Sequence, residues 1–173
     1  MINPGNLKVA TQGDRAIVMT RDVNAPRSLV FDAFTKPELV KQWQLGPDGW
    51  SMPVCEIDLK VGGAYRCIWR RDSDGSEMGM GGVYREIVPQ GRIVSTEVFD
   101  KAWYPGEAVV TVALSERAGI TTITQTVLYQ SREARDGVLK TRMETGVAAS
   151  YSRLAQLMES LGTAGLEKGA AKS

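Results

Sequence analysis

The sequence predicts an α+β domain: a seven-stranded antiparallel sheet covered by one long C-terminal helix, with two short helices between the first and second strands. Three features carry this. From Arg132 to Leu161 the apolar residues Met143, Val147, Tyr151, Leu154, Met158 and Leu161 recur at steps of three or four, one stripe on a helix. Lys140, Glu144, Ser152, Arg153 and Glu159 take the opposite face. Before that helix the chain reads mostly as strands separated by Gly- and Pro-containing turns. A sheet with one apolar face needs a cover, and this helix, about 45 Å for roughly 30 residues, is the only element long enough.

Composition bounds the rest. A chain of 173 residues, 43% hydrophobic and 24% charged, has the size and balance of one globular domain. That domain is placed at residues 14–162, with loose termini over 1–13 and 163–173. A net charge of +1 gives no footing for nucleic acid. No apolar run approaches a membrane span and the start lacks a signal-peptide pattern, so a cytoplasmic protein without membrane insertion is expected. Monomer and homodimer remain open.

The elements follow in order. Residues 16–23 alternate as the first strand. Pro26 suits a helix start, and Leu29, Val30, Ala33 and Phe34 share one helical face. A second short helix opens at Pro37 and carries Leu39, Val40 and Trp43. Gly46, Pro47 and Gly49 then mark a loop. Residues 54–60 and 64–71 alternate on either side of Val61-Gly62-Gly63. As a hairpin, Leu59 meets Tyr65, Ile57 meets Cys67 and Cys55 meets Trp69 on one face, while Asp58 meets Arg66 on the other. In that register Cys55 and Cys67 are diagonal neighbours, roughly 7 Å apart, beyond easy disulfide reach. Two free buried thiols are therefore expected. Residues 77–88 form the next strand, and Gly79, Gly81 and Gly82 within it signal a bulge, a bend or close approach of another group. Strands over 92–100, 107–116 and 120–130 complete the sheet. Ser131 is placed as N-cap of the long helix, Glu133 suits its first turn, and Gly162 is placed as its stop. Gly146, Ala148, Ala149 and Ser150 make its middle small, allowing close approach or leaving room beside it.

Several segments together carry a family resemblance: APRSLVFDAFTKPELVKQW, CEIDLKVGGAY, GVYREIVPQGRIVSTE, EAVVTVALSE and TTITQTVLYQSREARDGVL, followed by the SYSRLAQLM helix. In order and spacing they resemble the SRPBCC superfamily, the START- and birch-pollen-allergen-like helix-grip proteins. Within it they resemble the branch homologous to the activator of the ninety-kilodalton heat-shock-protein ATPase. One position departs: the family often has a second Trp after the one matching Trp43, and here it is Gln44. The resemblance implies a curved sheet gripping the helix, with a cavity between them. It implies no single activity, since members include lipid binders, aromatic polyketide cyclases and chaperone regulators.

The residues exclude several chemistries. Histidine is absent, which removes the commonest general base and metal ligand and excludes Ser-His and Cys-His nucleophile pairs. The glycines at 79–82 lack the strand-turn-helix context and the Lys of a phosphate loop. Two cysteines on a sheet make no metal cluster. No cofactor or metal is expected, and no catalytic constellation is recognised. Acid-base work falls to an Asp, Glu, Tyr, Lys or Arg in the cavity, and Glu97, sharing parity with Ile93 and Phe99, is one candidate. Expected in the cavity wall are Tyr65, Cys67, Trp69, Met80 and Tyr84 from the sheet. The long helix contributes Met143, Gly146, Val147, Ser150 and Tyr151, with Trp43 and Trp103 near a mouth. The functional expectation is binding of a small apolar or aromatic molecule. The alternatives are a chaperone co-regulator or protein-interaction module, and a cyclase- or hydrolase-like enzyme using the same space.

Overall fold

The structure, a computed structural model, describes residues 7–101, 104 and 106–171. The described chain runs β1 (Lys8–Gln12), β2 (Ala16–Val23), α1 (Arg27–Thr35), α2 (Pro37–Trp43), β3 (Trp50–Ile57), β4 (Ala64–Arg71), β5 (Glu77–Val88), β6 (Arg92–Phe99), β7 (Ala108–Arg117), β8 (Ile120–Leu128), α3 (Arg132–Leu139) and α4 (Met143–Ala171). The strands form one open antiparallel sheet in the order β1-β2-β8-β7-β6-β5-β4-β3. Eight strands and four helices replace the expected seven and three.

The extra strand is β1, inside the terminus expected to be loose. It pairs with β2 from Lys8↔Thr20 to Gln12↔Ala16. Only Val9 on it is half-buried, so it carries no apolar alternation to read. Backbone pairing holds it, and the buried Arg135 guanidinium donates to the carbonyls of Gly13 at 3.2 Å and Ala16 at 3.1 Å at the turn.

The extra helix comes from a break in the long C-terminal one. Ser131 caps α3, its hydroxyl accepting from the Ala134 amide at 3.0 Å. At the other end the Thr141 hydroxyl donates to the Val138 carbonyl at 2.6 Å and accepts from the Met143 amide at 3.3 Å. One side chain thus serves the end of α3 and the start of α4, the local competition with helix that threonine offers. Nor does α4 stop at Gly162: it continues to Ala171.

The β3–β4 hairpin differs from the expected register by two residues. Ile57 pairs with Tyr65, Glu56 with Arg66 and Cys55 with Cys67. A shift of two keeps every side chain on its face, so Cys55, Cys67 and Trp69 are still buried. Leu59, however, falls outside the strand and is 41% exposed. The thiols face each other directly rather than diagonally, and both are free. Hydrogen bonding to Cys55 and burial push the Cys67 thiol up.

The glycines of β5 have identifiable causes. Gly79 and Gly81 lie beneath the Arg66 side chain, which reaches across β5 to pair with Asp100; a Cβ on Gly79 would collide with both partners. Gly82 faces the other way, where a Cβ would meet the Thr96 carbonyl. The Tyr65 hydroxyl crosses that gap and donates to the Thr96 carbonyl at 2.6 Å.

Two groups of buried apolar side chains result. The larger joins Ile17, Val23, Val30, Ile123, Leu154 and Met158, where α1 and α4 meet β2 and β8. The smaller joins Val40, Met52, Cys55, Cys67, Trp69 and Met80 under α2. Trp43 ties the helices together: its indole N–H donates to the Ala33 carbonyl at 2.9 Å, and its ring lies 5.7 Å from that of Tyr151 on α4.

Candidate functional site

Members of both groups meet around a cavity of about 510 Å³. Its wall comes from the inward face of the sheet, from α2 and the following loop, and from the start of α4. The alternation of β4 and β5 sends Tyr65, Cys67 and Trp69 inward beside Met78, Met80 and Tyr84, opposite the outward Arg66 and Arg70. The helical stripe divides. Met143, Val147 and Tyr151 face the cavity, whereas Leu154 and Met158 lie in the packed core.

Of the residues expected in the wall, Trp43, Tyr65, Cys67, Trp69, Met80 and Tyr84 line the cavity. So do Met143, Gly146, Val147, Ser150 and Tyr151. Trp103 lies outside the described residues. Ala149, a member of the small-residue patch, does not line the cavity. Gly146 and Ser150 allow close approach as well as leaving room. The Ser150 hydroxyl accepts from the Gly46 amide at 2.8 Å, and a Cβ on Gly146 would touch Pro47 at 3.4 Å. Arg153 completes the latch, donating to the Gly46 carbonyl at 2.6 Å and to Asp48 at 2.8 Å. The loop after α2 is thereby clamped to α4 and borders the cavity. At the position where the resembled family often has a second Trp, the Gln44 carbonyl accepts from the Trp69 indole at 2.7 Å, a bond that does not depend on the side chain there.

Most of the wall is apolar, and its polar groups are few. Tyr151 donates to Gln125, so both are satisfied. Glu97, on β6 between Ser95 and Phe99, faces the cavity as parity with Ile93 suggests. Its side chain is half-buried against the cavity space, and burial pushes its pKa up from 4.5 to about 7. Its charge reaches the phenols of Tyr65, Tyr104 and Tyr129, all held above the usual tyrosine range chiefly by burial. Tyr104 and Tyr129 were not foreseen, because one sits in a loop and the other just past β8; no strand periodicity aims them. Among the described residues no group of three or more Cys, Asp and Glu is placed to hold a metal.

An open antiparallel sheet with an apolar cavity beneath a long C-terminal helix defines the structural class. Residues 24–159 match the family described as Activator of Hsp90 ATPase homolog 1-like protein, and the chain belongs to that family. Among solved structures it is similar to a protein of Rhodobacter sphaeroides, at 26% identity and a TM-score of 0.85 over 90% of this chain and 99% of that one. It is also similar to a Chromobacterium violaceum protein, at 28% identity and a TM-score of 0.71 over 83% and 97%. An HSP90 activator from Plasmodium falciparum shares the fold at 24% identity, with a TM-score of 0.50 over 66% and 72%. No curated protein matches the chain significantly. Among the described residues no helix is long and apolar enough to cross a membrane.

Proposed function

We propose that this protein binds a small apolar molecule between the sheet and α4, in a helix-grip arrangement. The observation that supports this is the cavity itself. Its volume of about 510 Å³ falls within the roughly 300–1,000 Å³ of small-molecule sites, which are mostly apolar with a few polar anchors. Methionines at 78, 80 and 143 give the wall adaptable side chains suited to ligands of varied shape.

Native mass spectrometry of freshly purified protein, followed by titration with an apolar fluorescent probe, tests this. A dissociation constant in the micromolar range is expected, about −8 kcal/mol. Gly146→Trp places an indole against Pro47 where the loop borders the cavity. It should weaken binding about tenfold or more while affecting folding less. No binding by the wild type, together with strong destabilisation by Gly146→Trp, removes the ligand reading.

A second reading, chaperone co-regulation, is supported by the family's description and by the Plasmodium falciparum HSP90 activator of the same fold. Stimulation of an Hsp90 ATPase by the purified protein supports it, and no stimulation counts against it. The cyclase- or hydrolase-like alternative rests on Glu97 as its proton-transfer group. Binding is the better supported reading, because it rests on the whole apolar cavity rather than on one carboxyl.

A further inference from the structure

We infer that the cavity selects amines: a protonated nitrogen on an apolar, ring-sized body, held between the Glu97 carboxylate and the surrounding tyrosine rings. This rests on the cavity reading above. Three observations carry it.

First, Glu97 faces the cavity, and no basic side chain pairs with its carboxyl among the described residues. A desolvated carboxylate without a counter-ion is costly, and a ligand cation removes that cost. Second, the Tyr104 hydroxyl is buried and has no hydrogen-bond partner among the described residues. It lines the same cavity, leaving an oxygen free to accept from a ligand N–H. Third, the carboxyl is flanked by aromatic pairs. Tyr104 and Tyr129 pack edge to face at 5.0 Å, and Tyr65 and Tyr84 are tilted at 5.5 Å. All four line the cavity, and ring faces attract cations. A neutral alcohol would satisfy an acceptor but supply no charge, and a carboxylic acid would meet a like charge.

The groups facing Glu97 give the expected pH dependence a single source. Burial raises the phenols of Tyr65, Tyr84, Tyr104, Tyr129 and Tyr151, which stay neutral through neutral pH. The Cys67 thiol is raised as well. Arg142, exposed at the α3–α4 turn, is the one basic residue on the cavity's lining among the described residues. Unlike those phenols and that thiol, the Glu97 carboxyl, near 7, changes charge in this range.

The test is isothermal titration calorimetry with an isosteric pair, naphthylmethylamine and naphthalenemethanol. Titrations at about pH 8 and about pH 5.5 bracket the protonation of the carboxyl, and the amine is charged at both. At the higher pH the amine should bind about tenfold or more tighter than the alcohol. That preference should collapse at the lower pH, and at both in Glu97→Gln. Equal affinity of the two probes at the higher pH, or an amine preference that survives in Glu97→Gln, overturns the inference. Binding of the alcohol without amine preference overturns this inference alone; binding of neither probe overturns the cavity reading with it. Should Glu97→Gln fail to fold, the wild-type pH profile decides by itself.

Discussion

Leu154→Ala should lower the unfolding free energy by about 2–5 kcal/mol, the cost of emptying a packed core site. Leu154 is fully buried on α4 in the larger core, among side chains of α1, β2 and β8. Alanine keeps the helix propensity, so the loss reports packing rather than helix formation. In a domain of this size the change should lower Tm by roughly 4–20 °C. Val147→Ala, two turns earlier, provides the contrast. Val147 borders the cavity and is only half-buried, so truncation there enlarges existing space and should cost less. Chemical denaturation of the two variants measures both. A loss below about half a kcal/mol at Leu154, no more than a surface substitution costs, would mean that α4 does not close the core.

Glu97→Gln should flatten the pH dependence of stability between about 4.5 and 7, the ordinary and folded values of this carboxyl. Its folded pKa is raised, so the folded state holds the proton more tightly than the unfolded chain. The corresponding stabilisation is fully present below the unfolded value and is lost as pH rises through about 7. At acid pH the variant and the wild type should match, since a protonated carboxyl and an amide are near isosteres. Above neutrality the variant should be the more stable, by up to about 3 kcal/mol at 1.36 kcal/mol per pH unit. Because the carboxyl borders the cavity space, partial solvation brings the difference below that figure. Urea unfolding of both proteins across this range measures it. A difference that does not change with pH would place Glu97 in water rather than against the cavity.

What was legible followed from periodicity. The stripe from Met143 to Met158 and the alternation of residues 64–71 fix which faces look inward, and those faces form the cavity wall and the core beside it. What was not legible depended on partners distant in sequence. The hairpin register was misjudged because a shift of two leaves both faces unchanged. Arg66, expected opposite Asp58, pairs instead with Asp100. The helix break at Thr141 is a single hydroxyl competing with the backbone, a signal the apolar stripe does not contain. β1 packs only Val9 against the core and is otherwise held by ladder bonds, so composition marks it as a tail. Glu97 was readable as inward from its parity. Its setting was not, since Tyr104 and Tyr129 reach it from a loop and a strand end.

The central claim, that the space beneath α4 takes a small apolar molecule, is tested most directly by methionine methyl NMR. The chain holds seven methionines, and Met19, Met78, Met80 and Met143 line the cavity, whereas Met52 and Met158 are buried outside its wall. With methyl-labelled methionine, addition of naphthalenemethanol should shift those four resonances in a saturable way and leave Met52 and Met158 nearly unmoved. Absence of saturable shifts, or shifts largest at Met52 and Met158, would contradict the account.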